Sequence, residues 1–252
     1  MKRFAFFVII ISFSVLIWSC SEETQSPTAA MDNEESTSLE EDEFAVDVGY
    51  MDYHKMVEYE VTLQNLTPAT GEGSSQPFSP PVLATHKSGM RLFKVHRFAS
   101  DELRQIAEDA VNGPMVEKLS NSKKVFEVVE GSEVIFPQGE VSFKIKTKRK
   151  YRRLSLVSML VNTNDAFTGI SAAKLPYRGE KVYYLYAYDA GTEKNTELID
   201  HIPGPCCGNP LVRVPTHEKI KVHRGISGIG DLDPEIYGWD KKVAKLTIRR
   251  IN

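Results

Sequence analysis

The chain has 252 residues, 41% of them hydrophobic and 26% charged, and its 31 Lys and Arg against 34 Asp and Glu leave a net charge of −3. A chain so nearly balanced lacks the electrostatic footprint of a nucleic-acid binder, and nucleic acid is set aside as a partner. The charge is unevenly laid: residues 51–252 carry 29 cations against 24 acids, a net +5, while residues 20–50 carry ten acids and neither Lys nor Arg.

Lys2 and Arg3 precede an apolar run from Phe4 to Trp18, the charge order and length of a signal-peptide core rather than of a membrane span. The run closes on Ile17-Trp18-Ser19-Cys20, which resembles a bacterial lipobox, a small residue before a cysteine whose sulfur becomes acylated. Residues 1–19 are therefore expected to be a lipoprotein signal peptide and Cys20 the lipidation site. A lipid anchor would tie the protein to a membrane, in the cell envelope, at the outer membrane and on the cell surface. An ordinary signal peptide with an incidental cysteine is the alternative. Residues 20–50 have the composition of an acidic disordered tether, too polar to bury surface against the entropy of ordering. Residues 51–252 suit one domain with a sizeable core.

From residue 57 the pattern has period two: Val57, Tyr59, Val61 and Leu63 alternate with Glu58, Glu60, Thr62 and Gln64, a half-buried strand. Similar runs recur at 124–129, 140–146, 152–161, 181–188, 219–223 and 243–250. Between Leu83 and Leu119 the period changes. Ser100 is an N-cap, Asp101 and Glu102 suit the positive end of a helix, and Leu103, Ile106, Ala107 and Ala110 form its apolar stripe. Pro114 opens a second short helix. Many strands with one helical insertion predict an all-β, antiparallel sandwich.

Two loop tips follow apolar strands and carry acids: Asp165 in Asn162-Thr-Asn-Asp-Ala-Phe-Thr-Gly169, and Asp189 with Glu193 in Tyr188-Asp-Ala-Gly-Thr-Glu193. If strands 154–161 and 182–188 lie side by side, both tips emerge at one end and three carboxylates converge. Clustered like charges either raise one another's pKa or take in a cation, and Ca²⁺ suits oxygen ligands. Asp189 with Gly191 also fits an Asx turn.

The run Lys144, Lys146, Lys148, Arg149, Lys150, Arg152 and Arg153 is a candidate anion-binding patch at a hairpin tip, open to a glycan, an anionic surface polymer or a lipid headgroup. A solvated tip kept soluble by charge is the alternative. Cys206 and Cys207 are adjacent; their Cα atoms lie about 3.8 Å apart, below the usual disulfide range of about 4.4–6.8 Å, so a vicinal disulfide would be strained though favoured by export. Gly225-Ile-Ser-Gly-Ile-Gly230 is not a dinucleotide fingerprint, since Ser227 stands where a glycine belongs, and Asp231-Leu-Asp-Pro-Glu235 has Ile236 where a calcium loop needs glycine.

Three segments together, Ser79-Pro-Pro-Val-Leu-Ala-Thr-His86, Leu154 to Gly169, and Leu185-Tyr-Ala-Tyr-Asp-Ala-Gly-Thr-Glu193, resemble the spondin-N domain in order and spacing. The resemblance spans about residues 57–250. It implies a β-sandwich similar to synaptotagmin-type calcium-binding domains, with Ca²⁺ held by Asp165, Asp189 and Glu193. Glu193 departs from the Asp of the family's animal members. A non-enzymatic adhesion or ligand-binding module is the expected function, its partner a glycan, an anionic polymer or a protein. A glycan hydrolase using paired carboxylates and a purely structural envelope protein are the alternatives.

Overall fold

A computed structural model of the chain describes residues 55–70, 75–204, 211–240 and 242–252; the signal segment, Cys20, the acidic tether and the Cys206–Cys207 pair lie outside them. The described residues form ten strands in two antiparallel sheets. The smaller sheet runs β4 (Glu140–Thr147), β1 (Val57–Asn65), β10 (Ala244–Arg250) and β7 (Glu180–Leu185). The larger runs β3 (Val125–Glu130), β2 (Val82–His86), β5 (Arg153–Met159), β6 (Ala166–Lys174), β8 (Ala187–Asp189) and β9 (Lys221–Val222). The fold is an all-β sandwich. Helices α1 (Asp101–Asp109), α2 (Gly113–Ser120) and the single turn α3 (Pro234–Tyr237) join it. Among the described residues no helix is long and apolar enough to cross a membrane.

Alternation decides which residues meet between the sheets. Tyr59, Val61 and Leu63 of β1, Ile145 of β4 and Leu246 and Ile248 of β10 face Leu83, Leu154 and Leu156 of the larger sheet. The larger sheet is covered on its other face as well. There Val82, Ala84, Val157 and Phe167 pack against Leu103, Ile106 and Ala107 of α1 and Met115 and Leu119 of α2. Ser100 caps α1 by accepting from the Leu103 amide, and Pro114 sits in the first turn of α2.

Covering both faces removes the period-two signal, since no side of a strand is left to be polar. Every residue of β2 is buried, and β2 went unpredicted. So did β6, whose Ala166-Phe-Thr-Gly169 start reads as a loop. The run expected at 181–188 is two strands: it breaks at Tyr186, with β7 in the smaller sheet and β8 in the larger.

β6 carries one residue more than β5 opposite Ser155, because Leu154 pairs with Ala173 and Leu156 with Ile170. The bulge puts Ala172 at a φ of 59° and frees its amide, which donates to Ser155 Oγ at 2.7 Å. His86 Nδ1 lies 2.8 Å from the Lys87 carbonyl, so that nitrogen carries the proton and Nε2 accepts from Ser155 Oγ at 2.8 Å. Burial pushes the His86 imidazole below its ordinary value, against the upward pull of the Lys87 carbonyl, and Arg91 and Arg153 add to the depression.

The unfolded chain therefore takes up a proton at a pH where folded His86 does not. His86 favours the fold fully above its unfolded pKa of about 6.5 and loses that contribution as pH falls from there through its folded-state value. The stability difference between the wild type and His86→Gln is expected to narrow as urea unfolding is repeated from about pH 7 down to about pH 5. Ser155→Ala strands a buried amide and an imidazole nitrogen together, and should lower stability by about 2 kcal/mol or more at neutral pH.

Candidate functional site

The tips at 165 and 189 do converge, by a different route from the one expected. β5 and β8 are not neighbours; β6 lies between them and is antiparallel to both, so β5 and β8 run parallel and end at the same pole. Ala166 pairs with Asp189, which sets Asp165 beside the 189–193 tip. Asn162, Thr163, Asn164 and Asp165 are all buried, a polar hairpin tip whose groups must find partners in the protein.

Asp165 ties the tips together. Its Oδ2 accepts from the Thr192 amide at 2.8 Å and the Glu193 amide at 3.0 Å, and its carbonyl accepts from the Ala190 amide at 3.1 Å. Its Oδ1 is buried with no hydrogen-bond partner. Burial first, then the charge of Asp189, raises the Asp165 pKa from 3.8 to about 7, against the two amides that favour the ionised form.

Asp189 is already compensated. Its Oδ1 accepts from the Gly191 amide at 2.7 Å, an Asx turn, and its Oδ2 accepts from Asn195 Nδ2 at 2.8 Å and lies 3.5 Å from Lys221 Nζ. Gly191 is required here: its φ is +73°, and a Cβ would stand 2.7 Å from the Glu218 main chain.

Glu193 is buried, and its Oε1 has no hydrogen-bond partner. Burial, then the charges of Glu108 and Asp165, raises its pKa from 4.5 to about 8, with Arg213 opposing. The Arg213 guanidinium is drawn the other way: Nη2 bonds Glu108 Oε1 at 2.6 Å, while Nε stands 3.9 Å from Glu193 Oε1. Arg104 closes the far side of Glu108 at 2.9 Å. The three acids thus separate into Asp189, whose two oxygens are both hydrogen-bonded, and a pair, Asp165 and Glu193, each with one buried oxygen that lacks a hydrogen bond. Among the described residues no three His, Cys, Asp or Glu side chains come together as a metal-holding group.

The Spondin_N family model matches residues 68–199, which include β2, both tips and the acids Glu108, Asp165, Asp189 and Glu193, but not Arg213 or Lys221. The chain belongs to the Spondin_N family. No curated protein matches it. Spondin_N is a family of non-catalytic domains.

The Spondin_N pole holds a further acid that sequence reasoning passed over. Glu197, buried at a φ of 55°, accepts from the Ser227 amide and hydroxyl, both at 2.8 Å, the Gly228 amide at 2.7 Å and the Ile229 amide at 3.0 Å. Its own amide donates to Asn164 Oδ1 at 3.2 Å. The Gly225–Gly230 segment is therefore a cradle of amides for an anion, as its glycine spacing hints, and the anion is the chain's own carboxylate. A Cβ on Gly230 would lie 2.5 Å from the Glu197 main chain. Nearby, the Gly225 amide donates to His223 Nδ1, so Nε2–H donates to Asn195 Oδ1 at 3.2 Å, and Asn195 passes the link on to Asp189.

The basic run does not form one surface. Lys144 and Lys146 lie on the outer face of β4, opposite Glu60 and Glu58 in register. Arg153 Nη1 reaches the Ala172 carbonyl. Lys148, Arg149 and Arg152 line a recess at the pole opposite the acids, and Lys150 is exposed in the turn at 149–151. His201 and His217 sit near the acidic pole without joining it as ligands: His201 Nδ1 is 3.1 Å from Thr196 Oγ1, and the His217 ring stacks on Phe98 at 4.2 Å.

Removing the Glu197 carboxylate leaves three amides facing nothing. Glu197→Ala should cost about 2–4 kcal/mol and should raise hydrogen exchange at the Gly228 and Ile229 amides by at least about a hundredfold, while the β1 amides change only as far as global stability requires.

Proposed function

We propose that this Spondin_N protein is exported, is anchored in the cell envelope through acyl chains on Cys20, and presents a Ca²⁺-stabilised, non-enzymatic domain that binds an extracellular ligand. The observation that carries the calcium reading is the pair of buried, partnerless carboxylate oxygens, Asp165 Oδ1 and Glu193 Oε1. Both are hard oxygen donors, and they stand on two loops already joined by amide bonds to Asp165 Oδ2. Asp165 and Glu193 would hold the ion, with main-chain carbonyls and water filling a shell of about six to eight oxygens. Asp189 joins them on releasing Asn195 or Lys221. The ion would cancel the repulsion between the two acids and fix the loops that form this end of the sandwich. Adhesion fits a rigid recognition surface of that kind set on a long acidic tether.

A second reading has its own observation. Arg213 Nε is buried and also lacks a hydrogen-bond partner, 3.9 Å from Glu193 Oε1. A small movement of that side chain would neutralise Glu193 from within and make the pole purely architectural.

The two readings separate in a thermal melt. With Ca²⁺ at a hundredfold excess over Kd the gain is about 2.7 kcal/mol, roughly 5–10 °C in Tm for a domain of this size, and Asp165→Asn should abolish it. A melt that chelator and Ca²⁺ leave unmoved, and that Arg213→Gln lowers sharply, would decide for the architectural reading. Anchorage is tested by metabolic palmitate labelling in a bacterial host, expected for the wild-type chain and lost in Cys20→Ala.

A further inference from the structure

Opposite the acidic pole, the ends of β1, β4, β5 and β10 leave a recess of about 230 Å³ lined by Lys55, Lys148, Arg149, Arg152 and Arg250, with Tyr59, Thr147 and Tyr177 between them. No Asp or Glu lines it. Tyr177, 55% exposed, is ringed by guanidinium carbons: Arg152 at 5.2 Å, Arg250 at 5.7 Å and Arg178 at 6.0 Å from its centroid. Among the described residues Lys55, Lys148, Arg152, Arg178 and Arg250 make no ion pair. The nearest acids in register face elsewhere: Glu58 opposes Lys146 and Glu180 opposes Arg249, on the outer face of the smaller sheet.

Several arginines held around one ring with no Asp or Glu lining the recess cannot relieve their repulsion by losing protons, since a guanidinium stays charged at any physiological pH. Their hydrogen bonds inside the protein are few and go to main-chain oxygens: Arg152 and the Tyr59 hydroxyl to the Pro176 carbonyl, Arg250 to the Tyr177 carbonyl and to Asn252. Donors remain for a ligand. The forked geometry of arginine matches a phosphate or sulfate two oxygens at a time, which a flat lysine patch does not.

The recess is smaller than the roughly 300–1,000 Å³ of sites that enclose a whole small molecule. It fits one end-group of something larger. Beside it Tyr177 keeps more than half of its surface exposed, against which a sugar can lie. We propose that this pole binds the sulfate or phosphate ester of a glycan, with the oxyanion among Arg152, Arg250 and Lys148 and the adjoining sugar against Tyr177. The site is independent of the calcium reading, shares no residue with it, and differs from a uniform basic hairpin, because Lys144 and Lys146 have acids opposite them and lie outside it.

The test uses the full-length protein and four probes: a sulfated disaccharide, its desulfated form, inorganic sulfate, and phosphatidylcholine vesicles containing phosphatidylglycerol. Calorimetry should show the sulfated disaccharide binding and the desulfated form not binding. Lys148→Gln and Arg152→Gln should each weaken binding about tenfold, and Tyr177→Ala should weaken the disaccharide but not inorganic sulfate. Lys55→Gln, at an exposed position, serves as a variant that leaves the fold alone and should also weaken binding. Lys144→Gln and Lys146→Gln should leave it unchanged. Equal losses at Lys144 and Lys146, binding to the vesicles alone, or no heat with any probe would each overturn the proposal.

Discussion

The centre of the larger sheet, β2 and β5, is dry on both faces, and most of the molecule's polar geography follows from that. Charge has no place along β2, β5 or β6, where one neighbour is the smaller sheet and the other is α1 with α2. Polar groups that must sit near these strands are driven to their ends, where chain reversals supply amides and carbonyls for them. The result is a sandwich with unlike poles. Acids gather where β5 and β8 end; cations gather where β1 and β5 begin and β4 and β10 finish.

At the acidic pole the compensation is uneven, and that unevenness is what gives the pole chemistry. Asp189 is surrounded by an amide, an asparagine and a lysine, and Glu197 is wrapped by a glycine-bearing loop. Asp165 and Glu193 each keep an oxygen with nothing to bond. Glu108 and Glu197, by contrast, are paired through both carboxylate oxygens. Burial, reinforced by neighbouring acids, pushes the pKa values of both carboxyls up.

Legibility from sequence tracked solvent exposure. β1, β4 and β10 each have one wet face and show their alternation plainly, and the caps of α1 and α2 were readable because capping is local chemistry. β2 and β6 were not readable, because their outward faces are covered by helices that no alternation reports. The meeting of the two tips that carry Asp165, Asp189 and Glu193 was legible through strand ends, though among the described residues the three side chains do not form one metal-holding group. Their neutralisers were not, since Arg213 and Lys221 arrive from distant stretches of chain and nothing near Glu193 or Asp189 announces them; Arg213 meets Glu108 across 105 positions. Glu197 was hidden for the same reason, since the glycines at 225–230 were set aside once they failed to match a dinucleotide fingerprint.

The open margin of the smaller sheet has a consequence of its own. β4 is that sheet's outermost strand, eight residues long, with β1 as its one partner strand in the sheet. A bare strand of that length is a template on which another polypeptide can extend the sheet. Lys144 and Lys146 project along it and Glu127 occupies the Lys146 amide. A neighbouring molecule approaching in the same orientation would have to bring its own lysines against these. Like charges set opposite one another would disfavour edge-to-edge pairing of copies, a physical consequence for charges that take no part in either pole.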